Sequence, residues 1–182
     1  MVSFMFTQNN DYLQNSLFGV TNLLSDEKLE KLKNTEAAFF YENIFSNIDE
    51  NIFLPIYCDD NGRPNAPINC IVTAIILANS NGWTHKEMFN KIDFDILTRY
   101  AMGLTDFEET PFCRATFYNF CNALSSYFAK TGENLLYQVF DNLTEKQKKE
   151  LQIKTDIQRT DSFQAMSNID RKSTRLNSSH YS

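Results

Sequence analysis

PINCIVTAIILANSNG, residues 67–82, is the stretch whose reading decides the fold. Pro67 suits a first helical turn, where its missing N–H leaves no intrahelical bond unmade. Ile68, Ile71, Val72, Ile75, Ile76 and Leu77 then make the segment apolar nearly all round. A helix of that kind belongs at the centre of a domain. Asn81-Gly82 ends it, because glycine takes the left-handed conformation that closes a helix at little cost.

The chain on either side reads as helix too. Thr84-His85-Lys86-Glu87 has the spacing of a capping box, and Met88, Phe89 and Ile92 give the following helix an inner face. Residues 94–102 predict a short helix closed by Gly103. Beyond Pro111, residues 116–130 carry Phe117, Phe120, Leu124 and Phe128 at helical period, with Gly132 as the stop. Residues 133–142 continue with Leu135, Leu136, Val139 and Phe140, and Thr144 is expected to cap a separate short helix over 144–151. There Lys146, Lys148 and Lys149 alternate with Glu145 and Glu150 as a solvated face. Upstream, Ser25 can cap a helix whose first turn holds Asp26 and Glu27. Leu29, Leu32, Ala37, Phe40, Ile44 and Ile48 keep near-helical spacing, with a break at Asn34-Thr35. Residues 52–57 form a second short element before the polar turn at Asp59–Gly62. Ile71, Ile75, Phe117, Phe120 and Leu124 are expected to share one core.

The fold class expected is therefore mainly α: a multi-helix domain over residues 25–151, preceded by a loose arm at 1–24. After residue 151 the pattern changes. Ile153, Thr155, Ile157, Arg159 and Asp161 alternate with Lys154, Asp156, Gln158 and Thr160, like a strand opening a second domain over 152–169. Residues 170–180 read DRKSTRLNSSH, residue for residue the translation of a widely used sequencing-adapter oligonucleotide. On that reading 170–182 is an artefactual, disordered tail, and the natural chain is expected to continue past Ile169.

Composition narrows the function. Hydrophobic residues are 42% of 182, with 16 Phe and 8 Tyr, enough for a core. Only 5 Gly and 4 Pro favour helix over sandwich or barrel. The formal charge is −6; without residues 170–182 it is −8, from 14 Lys and Arg against 22 Asp and Glu. A strongly basic nucleic-acid binder is excluded, although local basic patches are not. Cys58, Cys70, Cys113 and Cys121 form no C-x-x-C pair and have only His85 and His180 beside them, which argues against zinc. No signal peptide is evident, and the longest apolar run, 71–78, is too short for a bilayer. Reduced thiols, a cytoplasmic location and no membrane partner are the expectation. No Ser/His/Asp, Cys/His or phosphate-loop constellation marks a small self-contained enzyme.

The order of features across roughly residues 35–169 resembles the N-terminal region of InsH-like insertion-sequence transposases. Gly62-Arg63-Pro64 precedes the apolar helix, and Gly82-Trp83-Thr84 and Glu87 follow it. Arg99-Tyr100, Gly103-Leu104 and Thr116 with Phe120 come next. Arg159-Thr160-Asp161-Ser162 and Ser167-Asn168-Ile169 close the series. Two positions depart from the family pattern: Cys121 stands where Arg usually follows the phenylalanine, and Phe163 where Thr follows Asp-Ser.

The resemblance implies a truncated chain whose helical part binds transposon terminal inverted repeats and supports assembly, with a homo-oligomer in the full-length protein. It implies an RNase H-like second domain in which Asp161 is the first of three carboxylates. In that family these hold two Mg²⁺ or Mn²⁺ ions for phosphodiester strand transfer. Asp161 is thus the candidate catalytic and metal residue. With its partner carboxylates expected downstream, the fragment alone is expected to be inactive and to bind no metal. Arg63, Lys86, Lys91, Arg99 and Arg114 are the candidate DNA contacts, the last four rimming a helix-turn-helix-like surface. Each could instead lie on an ordinary solvated face, and Arg63 could pair within its acidic loop. The competing reading, suggested by the negative charge, is a helical protein–protein interaction module without DNA binding.

Overall fold

The computed structural model describes residues 4–10, 24–57, 63–104 and 110–150. All lie within one compact unit, residues 1–152. Residues 153–161, expected to be a strand, and the tail expected at 170–182 lie outside the described residues.

Among the described residues seven α-helices carry the fold: α1 (Asp26–Lys33), α2 (Glu36–Asn43), α3 (Ile68–Asn81), α4 (His85–Phe94), α5 (Ile96–Ala101), α6 (Arg114–Thr131) and α7 (Leu135–Glu150). Two 3₁₀ turns, Phe45–Asn47 and Glu50–Ile56, link α2 to the short strand β2 (Arg63–Pro64). β2 pairs in parallel with β1 (Phe4–Met5), inside the stretch read as a loose arm. The mainly helical expectation holds over the described residues.

α3 is the hub. Ile68, Cys70, Ile71, Val72, Ala74, Ile76, Leu77 and Ala78 are buried, as are its polar Asn69 and Thr73. Complete removal of each large apolar side chain from water contributes about 1.5–3 kcal/mol. Gly82 ends α3 with φ +67°, and the Trp83 N–H returns to the Ala78 carbonyl at 2.8 Å. The break at Asn34-Thr35 is present: Asn34 closes α1 and the Thr35 side chain caps α2. Ser25 occupies the cap position of α1 but makes no side-chain capping bond.

Gly103 closes the α5 corner at φ +69°, and a Cβ there would overlap the ring of buried Phe45. Glycine is required on both counts. Ile71, Phe117 and Phe120 are buried in one core as expected, while Ile75 and Leu124 only flank it, half-buried. Phe53 of the second 3₁₀ turn fills the space beside Phe120, with ring centroids 5.4 Å apart.

The separate helix capped by Thr144 does not form. α7 runs unbroken from Leu135 to Glu150. Leu135, Val139 and Leu143 put one buried side chain on the same face each turn, so packing carries the helix through Thr144. With no Gly or Pro between them, a capping residue type is too weak a signal to interrupt that face.

Candidate nucleic-acid interface

The two ends of α3 are built differently. At the N-terminal end, Pro67 offers no side-chain acceptor for the first-turn N–H groups. Glu50 supplies it: Oε1 accepts from the Asn69 N–H at 2.9 Å and Oε2 from the Asn9 N–H at 2.7 Å. The Glu50 side chain is 2% exposed. Burial pushes its carboxyl above the ordinary value, while hydrogen bonds from the Asn69, Asn9 and Ile68 backbones pull it down. Tyr57 and Cys70 feel the same burial and the same carboxylate, and both are raised.

At the C-terminal end the chain turns into α4 through the expected capping box. The Glu87 N–H donates to Thr84 Oγ1 at 3.3 Å, and the Thr84 N–H donates to Glu87 Oε2 at 2.8 Å. Donation from the Thr84 N–H and from the Thr84 hydroxyl, both at 2.8 Å, holds the exposed Glu87 carboxyl below its ordinary range. His85 then meets the start of α6. Its Nδ1 lies 3.1 Å from the Tyr118 hydroxyl, and its ring stands edge-on to Phe117 at 5.2 Å. Phe117 packs on Phe89 at 5.7 Å, and the Arg114 guanidinium lies over the other ring of that pair, Phe89, at 5.4 Å. An aromatic cluster thus joins the first turns of α4 and α6.

The candidate cations divide on this frame. Lys86 is exposed beside His85 in the first turn of α4, and Arg114 is exposed at the first residue of α6. Neither forms an ion pair with a described carboxylate. Lys91 lies over the Trp83 ring at 5.6 Å and pairs with Asp95 at 3.2 Å, so part of its charge is answered within the domain. Arg99 is a correction. It is 3% exposed and its Nη1 donates to the Ile92 carbonyl at 2.8 Å, pinning the α4–α5 corner from inside. A periodicity reading misses this because a six-residue helix shows too little of its pattern to separate inner from outer positions.

Arg63 sits in β2, before α3, whereas Lys86 follows the far end of α3 in the first turn of α4 and Arg114 opens α6. Fourteen residues at 1.5 Å rise separate those ends by about 20 Å. Asp161 lies outside the described residues. Among the described residues no three His, Cys, Asp or Glu side chains could share a metal ion, and no helix is long and apolar enough to cross a membrane.

Two features at this surface escape the sequence reading. Tyr118 completes the His85 contact, and its only advance signal is its place next to Phe117 on an aromatic helix. Cys113, exposed at the cap of α6, is hydrogen-bonded with Thr116, which lowers its thiol below the ordinary value. Beside the aromatic cluster an open groove of about 260 Å³ is lined by Ile75, Trp83, His85, Cys121, Leu124 and Leu136, among others.

Residues 24–123, more than half of the chain, match the family described as Transposase domain (DUF772). The chain belongs to that family. The matched region runs from the residues before α1 into the middle of α6, so it contains the α3 hub, the capped start of α4, Lys86 and Arg114. Residues 4–10 and α7 lie outside it. No curated relative and no solved structure matches the chain.

Proposed function

We propose that this transposase domain binds transposon-end DNA through the face formed by the first turns of α4 and α6. One observation carries the reading: Lys86 and Arg114 stand exposed in the first turns of two helices joined by the His85–Phe117 and Phe89–Phe117 contacts, and neither has a described carboxylate partner. Arg114 rests on an aromatic ring, which limits the conformational freedom it would lose on meeting a phosphate. Phosphate contacts of this kind set register and orientation, and base contacts would set sequence preference. Arg63, in the short strand before α3, is a separate contact point in this proposal. Lys91 is a weaker contributor because Asp95 already pairs with it.

Within this reading the chain acts in assembly for cut-and-paste strand transfer, as a homo-oligomer, with an RNase H-like second domain beginning near residue 152. Asp161 is the first of that domain's carboxylates. Mg²⁺ or Mn²⁺ held there with further acidic residues would activate the attacking oxygen and stabilise the leaving one. On this proposal residues 24–150 bind and position the DNA.

The test is binding of a terminal inverted-repeat duplex and a scrambled duplex at low and higher salt. The net charge of −6 keeps affinity modest, and phosphate contacts make it fall steeply with salt. Changing both Lys86→Ala and Arg114→Ala should lower the slope of log affinity against log salt by about 2, at about 0.9 for each phosphate that is no longer neutralised. A chain with no DNA affinity at low salt would instead favour the protein-interaction module. For that module the apolar groove, with exposed Phe128, Tyr137 and Phe140 on α6 and α7, is the natural surface.

A further inference from the structure

Residues 4–10 lie outside the matched family region, yet their polar groups are answered one after another. The Asn65 N–H donates to the Met5 carbonyl at 3.2 Å, and the Thr7 N–H donates back to Asn65 Oδ1. Phe6 packs against the core with its ring 6.1 Å from Tyr57. Two residues beyond Thr7, the Asn9 N–H reaches Glu50 Oε2, and Asn9 Nδ2 donates to Asn69 Oδ1 at 2.9 Å. Asn69 Oδ1 also accepts from the Cys70 N–H at 2.9 Å. Segment, carboxylate and first turn of α3 therefore form one continuous hydrogen-bonded network.

A two-residue strand pair has no stability of its own. β1 and β2 stay together because Asn9 is anchored in this buried network, where leaving a donor or acceptor unmatched is costly. The β2 end of the network carries Arg63. We propose that residues 4–10 are a strap that fixes the backbone of Arg63–Asn65, so that the Arg63 contact of the DNA interface depends on a segment outside the matched domain. The strap itself rests on the hydrogen-bond geometry, and its link to DNA rests on the function proposed above. Asn9 is its positioning residue.

Amide hydrogen exchange on the full chain tests the strap, with Asn9→Ala as the first variant. Thr7→Pro is the second, removing one donor at an exposed position and so sparing the fold if Asn9→Ala does not. Exchange at the Asn65 and Asn69 amides should rise by up to about tenfold, the scale of one lost neutral hydrogen bond. Amides of α6 should be unchanged. Unchanged exchange at Asn65, or an equal rise in α6, would overturn the strap. Affinity for the inverted-repeat duplex tests the link to Arg63. Each strap variant should weaken binding as much as Arg63→Ala does, and should add nothing in an Arg63→Ala background. Equal losses in both backgrounds would overturn the coupling. If the unaltered chain binds no DNA, the DNA half falls with the proposed function, and the exchange result still decides the strap.

Discussion

The two ends of α3 solve the same problem, an exposed helix boundary, with opposite chemistry. At Ile68–Cys70 the boundary is sealed: a carboxylate from a distant 3₁₀ turn is buried against the first-turn amides. At Gly82–Lys86 it is open: a left-handed glycine releases the chain, and a short-range capping box starts the next helix in water. A buried carboxylate must keep all its partners, so the sealed end is sensitive to any change. The open end is built from local bonds and aromatic packing, so its charged side chains are free to meet a ligand. The comparison predicts that substitutions lose stability at the first end and binding at the second.

The largest stability effect should come from the apolar side of the sealed end. Ile68 is fully buried, and Ile68→Ala should cost about 2–5 kcal/mol by chemical denaturation. Ile75→Ala, half-buried toward the groove, should cost only about 1–2 kcal/mol. Equal losses at the two positions would erase the distinction between sealed core and open groove.

Glu50→Ala comes next. It strands the Asn9 and Asn69 amides and should cost about 1–3 kcal/mol. Glu50 also gives the sealed end a pH dependence. Its folded carboxyl is raised, so the folded state holds the proton to higher pH than the unfolded chain does. Its contribution to stability is therefore greatest below the ordinary carboxylate value and declines as pH rises through the folded value. Glu50→Gln should flatten that part of the stability–pH curve. A curve unchanged by Glu50→Gln would mean that this carboxyl does not titrate as its burial requires.

At the open end, Thr84→Ala removes one local cap and should cost about 1 kcal/mol, read as a lower melting temperature. Smallest of all, Lys86→Ala should stay within about 0.5 kcal/mol, since the side chain is exposed and has no described ion pair. A large loss of stability from Lys86→Ala would show that this face is structural.

How much of this could be read from the chain follows the same division. Features decided by near neighbours were legible: the glycine stop at Gly82, the Thr84–Glu87 box, the break at Asn34-Thr35 and the all-round burial of α3. Features decided across the chain were not. Nothing near Glu50 shows that its carboxylate caps a helix beginning 18 residues later, and nothing near Asn9 shows its bond to Asn69. Arg99 has the composition of a surface contact, and only the α4–α5 corner places it inside. At the candidate interface, Lys86 and Arg114 were legible as separate cations. The joining of the helix starts that carry them was not, because it depends on the His85, Phe89 and Phe117 rings meeting across α4 and α6.

DNA binding by the first turns of α4 and α6 is measured most directly by the salt dependence of affinity for a terminal inverted-repeat duplex. It should be determined for the unaltered chain and for a variant carrying both Lys86→Ala and Arg114→Ala, with folding of each checked by circular dichroism. The unaltered chain should bind measurably at low salt, and the folded variant should show lower affinity and a salt slope shallower by about 2. A folded variant that keeps the affinity and slope of the unaltered chain would contradict DNA binding by these two turns.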